Sequence, residues 1–226
     1  MPARTVLAGP SPKVLLDEEF FARAVGELAR RDADLAAVLE KYGRPPLWVR
    51  DPGFPTLVYI ILEQQVSLAS ARALYRRLEE VVRPFTPGRF LQLTEQEMKR
   101  LGFSRQKAHY TRLLADAVKR RQLDLPALHS FGDDQVREKL IALQGIGPWT
   151  ADIYLLSALR RPDIWPVGDL ALATAVQEVK RLGRRPAPEK LETMSTPWRP
   201  WRAVAARLFW HHYLCKRGQH AAATSL

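Results

Sequence analysis

One stretch of the sequence constrains the fold more than any other. The segment Leu143–Ala151, LQGIGPWTA, places Gly145 and Gly147 between two segments whose apolar residues have helical spacing. Glycine adopts backbone angles that side chains forbid, and Pro148 suits the first turn of a helix, where its missing N–H would be unpaired anyway. The pattern predicts a helix-hairpin-helix whose second helix presents free backbone N–H groups. Such a helix end favours a phosphate.

A second short turn follows the hairpin along the chain. The segment Pro166–Asp169 places an aspartate where the N-cap of the next helix is expected. The helix dipole and the free N–H groups favour the charged form of such a carboxylate. A charged carboxylate is unsuited to donating a proton, but it can stabilise a nearby cation or accept a proton from water. Asp169 can therefore act on a nearby cation or a water molecule, and a structural N-cap is the other interpretation.

Composition limits the partners and the compartment. The net charge of +11 and the isoelectric point near 10.1 favour a polyanionic partner, and a merely soluble basic protein is the alternative. A single cysteine, Cys215, excludes an intramolecular disulfide and a four-cysteine iron–sulfur or zinc site. The five histidines form no evident ligand set. The longest apolar run, 54–62, is too short for a bilayer, and no signal peptide is evident, so we expect a cytoplasmic protein.

Local signals predict helices along most of the chain. A helical pattern runs from Asp17 to Lys41, with a break near Asp32. Thr94 and Glu97 have the spacing of a capping box, and Ser104 can cap the helix that follows. Residues 84–89 and 194–200 are predicted turns, 182–186 a basic loop, and 201–216 a last helix. No strand-like alternation occurs, so the predicted fold is all-α.

The hairpin followed by a correctly spaced aspartate resembles the helix-hairpin-helix, Gly/Pro-Asp superfamily of DNA base-excision glycosylases. The resemblance covers roughly residues 14–215. The Trp149-Thr150-Ala151 ending and the segment 198–202 are similar to the branch that removes alkylated bases, the 3-methyladenine DNA glycosylase II (AlkA-type) group. The resemblance implies two helical lobes with a DNA-binding groove between them. It also implies double-stranded DNA with alkylated bases as the partner.

The resemblance also implies a domain organisation. Some AlkA-type relatives carry an extra N-terminal β domain, which we expect this chain to lack. Nothing in the sequence requires more than a monomer. We expect a flexible leader over 1–13 and one glycosylase core over 14–226, with lobe A at about 14–50 plus 170–226 and lobe B at about 51–169, containing the hairpin 143–151.

The chemistry implied by the resemblance is hydrolysis. Cleaving an N-glycosidic bond builds positive charge on the sugar, and a fixed carboxylate such as Asp169 stabilises it. Glycosylases that also nick the strand place a Schiff-base lysine where this chain has Trp149. The sequence therefore predicts a monofunctional enzyme that flips an alkylated base out of the duplex, releases it and leaves an abasic site. We expect this enzyme to start base excision repair.

Three positions are implied to line the base pocket: Trp149, Trp210 and Ile153. Electron-rich aromatic faces attract positively charged bases such as 3-methyladenine and 7-methylguanine. Ile153 stands where the family has another aromatic residue, which we expect to alter the range of lesions. Core packing is the alternative for Trp149 and Trp210. Trp165, Trp198 and Trp201 are expected in the core or in the contact between the lobes.

A wedge residue is implied by the segment Ile61–Ser67, LEQQV at its centre. Gln65 falls at the position whose side chain fills the gap left by the extruded base. Family members often have an aliphatic residue there, so a polar wedge is a departure. The alternative is that Gln64 and Gln65 are an ordinary polar helix end.

The hairpin is implied to hold the DNA backbone. Gly145 and Gly147, with Thr150, would bind a phosphate near the lesion. No cofactor is required, and no iron–sulfur cluster is expected. The family's monovalent cation, Na⁺ or K⁺, would be bound with DNA by the main-chain carbonyls of Ile141, Leu143 and Ile146.

Three other functions compete with this prediction. A non-catalytic helix-hairpin-helix DNA-binding module would use the hairpin alone, and Asp169 argues against it. A bifunctional enzyme of the endonuclease III type is disfavoured by Trp149 and by the missing cysteine cluster. A monofunctional glycosylase for oxidised or mismatched bases is disfavoured less strongly, by the similarity to the alkylation branch.

Overall fold

The computed structural model describes residues 15–219 of the 226-residue chain. The leader predicted for 1–13 lies outside the described residues. Within 15–219 the chain forms α-helices and two short 3₁₀-helices and no strand, which confirms the all-α prediction. The α-helices are α1 (Glu18–Arg31), α2 (Ala33–Tyr42), α3 (Phe54–Glu63), α4 (Leu68–Val81), α5 (Pro87–Phe90), α6 (Glu95–Leu101), α7 (Arg105–Lys119), α8 (Asp133–Ile141), α9 (Pro148–Ser157), α10 (Leu170–Val179), α11 (Pro188–Ser195) and α12 (Arg202–Lys216).

Short polar side chains begin several helices where the sequence predicts a boundary. Asp32 separates α1 from α2 and accepts hydrogen bonds from the backbone N–H groups of Asp34 and Leu35 at 3.1 and 3.3 Å. Thr94 Oγ1 accepts from the N–H of Glu97 at 3.2 Å, and the Glu97 carboxylate accepts from the N–H of Thr94 at 2.7 Å. Both bonds of the capping box are present, so its prediction is confirmed.

Two helices lie where the sequence predicts turns or leaves the structure open. Helix α5 is one turn long and falls partly within the predicted turn 84–89, and α11 overlaps the start of the predicted turn 194–200. Each has a proline at its start, and each buries a single apolar side chain, Phe90 in α5 and Leu191 in α11. Helices this short present too few apolar residues for a periodic pattern.

Two helices are the centres of the fold. Helix α3 packs against α4, α7 and α9, and α12 packs against α1, α2 and α10. Eight of the ten residues of α3 are buried, because the run 54–62 is apolar around its whole circumference. Most buried side chains around both helices form one continuous cluster, and Leu214 of α12 packs with Trp48 in a small second cluster. No helix within 15–219 is long and apolar enough to cross a bilayer.

One buried arginine joins the two groups of helices. Arg207 of α12 is 0% exposed and donates to the carbonyls of Leu47, Leu156 and Ala203. Burial lowers the pKa of its guanidinium to about 9, so the group remains charged at neutral pH. Three carbonyl acceptors offset the cost of burying that charge. The contact fixes α12 against the end of α9, and both helices carry side chains of the candidate site.

Candidate active site

Asp169 is held at the start of α10. Its own N–H donates to the carbonyl of Pro166 at 3.0 Å, which closes the predicted turn. Its Oδ1 accepts from the N–H of Leu172 at 2.7 Å, so the predicted N-cap is confirmed. The carboxylate is therefore fixed near the positive end of a helix and is only partly buried.

Two tryptophans from different helices donate to the same carboxylate. Trp149, at the start of α9, donates Nε1–H to Asp169 Oδ2 at 2.9 Å. Trp210, on α12, donates Nε1–H to Asp169 Oδ1 at 3.1 Å. With the N–H of Leu172, three donors surround one carboxyl group, which matches an acceptor that uses both oxygens. The structure thus brings together three predicted site residues that are far apart in sequence. Their individual roles stay predictions.

The hairpin between α8 and α9 has the predicted form. The N–H of Ile146 donates to the carbonyl of Leu143 at 3.1 Å, and Gly147 is the N-cap of α9. Gly145 has φ +93°, and a Cβ placed there would lie 2.2 Å from Cγ of Tyr110. The close approach that requires glycine at this position is therefore to the Tyr110 ring of α7. Gly147 has no atom within 4 Å of the corresponding position.

Gln64 attaches the end of α3 to the hairpin. Its Nε2 donates to the carbonyl of Gly145 and to Thr150 Oγ1, both at 2.9 Å. Thr150 is 1% exposed. Thr150, predicted with Gly145 and Gly147 to hold a DNA phosphate, is thus buried, and its hydroxyl accepts a hydrogen bond within the protein. The sequence indicates Gln64 only as part of a polar helix end, because its two hydrogen bonds depend on the tertiary fold.

Gln65 lies in the turn between α3 and α4. Its backbone has φ +57°, a left-handed conformation that is uncommon for residues other than glycine, and its side chain is exposed. Val66 beside it is 46% exposed. Ser67 then begins α4 by accepting from the N–H of Ser70 at 3.2 Å. This placement gives Gln65 the exposure that a wedge needs, and the wedge function stays a prediction.

The remaining predicted residues lie on α8, the hairpin and α9. Ile153 follows Trp149 by one helical turn and is partly buried against the core. Ile141 is 41% exposed at the end of α8, whereas Ile146 is buried. The carbonyl of Leu143 accepts the Ile146 N–H with one of its two lone pairs. Carbonyl oxygens are ligands that hard cations accept, and the cation site stays a prediction.

One carboxyl group near this site was not singled out from the sequence. Glu63 ends α3, directly before Gln64, and is partly buried. Burial raises its pKa to about 7, with the charge of Asp169 acting in the same direction and Arg50, the Tyr59 hydroxyl and Arg72 acting against it. A charged residue directly after the apolar run 54–62 is the signal that could have identified it.

Other polar clusters are internally paired. A separate recess of about 470 Å³ is lined by charges that include the ion pairs Arg137–Asp152 and Arg202–Asp163. Among residues 15–219, no three His, Cys, Asp or Glu side chains are grouped to hold a metal ion. The tryptophans expected in the core lie there or pack against it: Trp165 is 3% exposed, Trp198 is 2% exposed, and Trp201 is partly buried.

Known proteins resemble this chain in sequence and in fold. Two Bacillus subtilis relatives are 29% and 26% identical over 187 and 199 residues, and the second is a DNA-3-methyladenine glycosylase. The alignments cover 78% and 81% of this chain but 64% and 65% of those proteins, so the chain spans less than two thirds of their length.

Solved structures share the fold. The DNA-3-methyladenine glycosidase of Bacillus halodurans has a TM-score of 0.70 and 26% identity, over 88% of this chain and 91% of that one. The Schizosaccharomyces pombe 3-methyladenine DNA glycosylase, solved with abasic DNA, has a TM-score of 0.79 and 22% identity, over 86% and 97%.

The family follows from a match that includes every element of the site except Trp210. The model of the HhH-GPD superfamily base excision DNA repair proteins matches residues 58–200, more than half of the chain, and the chain belongs to that superfamily.

Proposed function

We propose that this chain is a monofunctional DNA glycosylase that hydrolyses the N-glycosidic bond of alkylated bases, of the 3-methyladenine and 7-methylguanine type, in double-stranded DNA. The observation that carries the proposal is the Asp169 carboxylate, fixed by Leu172 N–H and by the indole N–H groups of Trp149 and Trp210. The names of the similar Bacillus proteins support the same substrate class.

The fixed carboxylate suits this reaction. As the bond between the base and C1′ of the sugar lengthens, positive charge develops on the sugar. Asp169 needs no reorganisation to stabilise that charge, because three N–H donors already hold it in place. The same carboxylate can orient the attacking water or accept its proton. A cationic alkylated base leaves as a neutral molecule and needs no proton.

The surrounding residues support recognition of flipped bases in DNA. The aromatic faces of Trp149 and Trp210 would attract a cationic ring. The start of α9 at Gly147 has room for a phosphate. The exposed Gln65 would fill the space that the flipped base leaves in the base stack. Binding should weaken steeply with salt, since phosphate contacts release counterions. We propose action on chromosomal DNA in the cytoplasm, at the nucleoid if the cell is bacterial. No cofactor is required in this proposal, and the hairpin would bind a monovalent cation together with DNA.

The experiment measures release of 7-methylguanine from a duplex oligonucleotide under single-turnover conditions. The wild-type chain should release the base, and strand breaks should appear only after alkali. Asp169→Asn should lower the rate by about 100-fold or more, because it removes the negative charge opposite the sugar. Strand scission without alkali would contradict the monofunctional assignment.

Asp17→Asn is the matched control. Asp17 is the N-cap of α1 and accepts from the N–H of Phe20 at 2.8 Å, so this variant changes a cap and leaves the site intact. It should release the base at the wild-type rate. Equal rates in Asp169→Asn and the wild type would contradict the catalytic assignment. Salt-sensitive DNA binding without base release by the wild type would favour a non-catalytic module, and release of only oxidised or mismatched bases would change the substrate class.

A further inference from the structure

Helix α7 contacts the two regions that the proposed function places on DNA. Lys107 Nζ donates to the carbonyl of Leu62 at 2.6 Å, three residues before the proposed wedge Gln65. Three residues after Lys107, the Tyr110 ring lies against Gly145 of the hairpin, where a Cβ would come within 2.2 Å of Tyr110 Cγ. The first half of α7 therefore lies beside both the end of α3 and the hairpin.

The Tyr110 hydroxyl is held in place at the surface and keeps its own hydrogen. Gln106, one helical turn earlier on α7, donates Nε2–H to this hydroxyl at 2.9 Å. Gln106 is exposed and Tyr110 is partly exposed, so the bond lies at the protein surface. A tyrosine hydroxyl can accept one hydrogen bond and donate another. Within residues 15–219 no acceptor takes the hydrogen of this hydroxyl, which leaves it available as a donor.

The start of α9 indicates what this donor would meet. Gly147 begins α9 and no side chain caps the helix there, so the N–H groups of its first turn are open to the phosphate of the proposed complex. Gly145, which the Tyr110 ring contacts, is two residues before Gly147. The hydroxyl therefore lies within one side-chain length of the hairpin. A DNA strand that places a phosphate at the start of α9 has its backbone beside α7.

The charges along α7 suit a polyanion. Arg105 and His109 are exposed on either side of Gln106, and the His109 ring lies 6.0 Å from the Tyr110 ring. The first three turns of α7 contain no acidic residue. A carboxylate there would accept the hydrogen of the Tyr110 hydroxyl and would repel a phosphate. This part of α7 therefore has donors and positive charge next to the hairpin.

We infer that the Tyr110 hydroxyl, oriented by Gln106, donates a hydrogen bond to a phosphate of the DNA strand that the hairpin holds. This role rests on the proposed glycosylase function and adds a neutral donor from α7 to the main-chain donors of the hairpin. Contacts to phosphates fix the register of a protein on its duplex. The Tyr110 ring thus supports Gly145 and also places the hydroxyl on the strand. Gln106 acts through Tyr110 as a positioning residue.

The test measures the affinity of the full chain for a duplex with an abasic-site analogue at several salt concentrations. Tyr110→Phe removes the hydroxyl and keeps the ring on Gly145, and it should lower the affinity about tenfold. The slope of log affinity against log salt should not change, because the lost donor is neutral, whereas loss of a Lys or Arg contact lowers that slope by about one.

Two further variants define the roles of the pair. Gln106→Ala should lower the affinity by about threefold in the wild-type chain and have no further effect in Tyr110→Phe, because Gln106 acts only through the hydroxyl. Tyr42→Phe is the matched control. Tyr42 ends α2, which packs against α12 and not α3, and this variant should bind as the wild type does.

A second measurement locates the contact on the DNA. Uncharged methylphosphonates replace the phosphates one at a time, and each duplex is bound to the wild type and to Tyr110→Phe. At the phosphate that Tyr110 contacts, the difference between the two proteins should largely disappear. At all other phosphates the tenfold difference should persist.

The outcomes separate this inference from the proposed function. Wild-type affinity in Tyr110→Phe, together with 7-methylguanine release by the wild type, would overturn the inference and leave the proposed function standing. A difference of the same size at every methylphosphonate position would mean an indirect effect through the hairpin and would also overturn the inference. No salt-sensitive binding of DNA and no base release by the wild type would overturn both.

Discussion

The candidate site is built from two regions that differ in how their polar groups are satisfied. In the region of the hairpin and Asp169, hydrogen bonds are short and mutually supporting, and Asp169 alone accepts three. At the end of α3 and in the turn that follows it, Glu63 has a pKa raised by burial and Gln65 has a left-handed backbone. The hairpin and Asp169 are thus fixed by hydrogen bonds, whereas the turn after α3 contains a strained backbone at Gln65.

This difference matches the work that each region is proposed to do. A carboxylate that stabilises charge must be held in place before the reaction, because reorganisation would cost free energy at the transition state. A side chain that enters the base stack must instead be exposed. Strained and perturbed residues concentrate where function requires them and where the surrounding fold supports them.

The largest expected effect lies in the fixed region. Gly145→Ala should lower the free energy of unfolding by about 3 kcal/mol, because the new Cβ meets the Tyr110 ring and the backbone has positive φ. Urea unfolding measures this change. Gly147→Ala is the control: φ is −94° and no atom lies within 4 Å, so the loss should stay below about 1 kcal/mol.

These glycine variants also separate folding from DNA contact. Gly147→Ala should fold well yet bind duplex DNA more weakly, since its Cβ points into space that a phosphate would use. Binding at several salt concentrations measures the loss. If Gly145→Ala were as stable as Gly147→Ala, the close approach to Tyr110 would not be the reason for glycine at position 145.

The second prediction concerns the link between the two regions. Gln64→Ala should lower the free energy of unfolding by about 2 kcal/mol, because it leaves the Gly145 carbonyl and the buried Thr150 hydroxyl without their donor. Thermal or urea unfolding gives the value. When Thr150→Val is already present, Gln64→Ala should lower the free energy of unfolding by a smaller amount, since only the Gly145 carbonyl then loses its donor. Strictly additive losses would show that the bond to Thr150 contributes nothing.

Local sequence signals predicted the fixed region well. Pro148 begins α9 and Asp169 caps α10, because each of these features depends on residues within one helical turn. The capping box of Thr94, outside this region, was predictable for the same reason. The all-α fold followed from the same kind of evidence. The convergence of Trp149 and Trp210 on Asp169 was expected only through the family resemblance, because spacing along the chain does not reveal it.

The end of α3 was harder to predict because its properties arise from the tertiary fold. Gln64 bonds to residues about eighty positions away, and the Tyr110 ring that restricts Gly145 lies on α7. The raised pKa of Glu63 depends on desolvation by packed neighbours. The burial of Thr150, which removes its hydroxyl from DNA contact, likewise depends on α3. Local pattern carries none of this information.

The smallest expected effect on stability bears most directly on the comparison between the two regions. Gln65→Gly should raise the free energy of unfolding by about 0.5 to 1 kcal/mol, since glycine tolerates the left-handed backbone at φ +57°. The same change removes the proposed wedge, so 7-methylguanine excision from duplex DNA should fall by about tenfold. Excision from a single strand, which has no stack to fill, should be unchanged.

Arg121→Gly is the matched control, because Arg121 is exposed and has φ +58° just after the end of α7. It should give a similar gain in stability with no change in excision from either substrate. If Gln65→Gly gained stability and kept full activity on the duplex, the Gln65 side chain would not be needed to fill the gap left by the flipped base. A loss of activity confined to the duplex would mean that the strain at position 65 persists because extrusion of the base requires a side chain there.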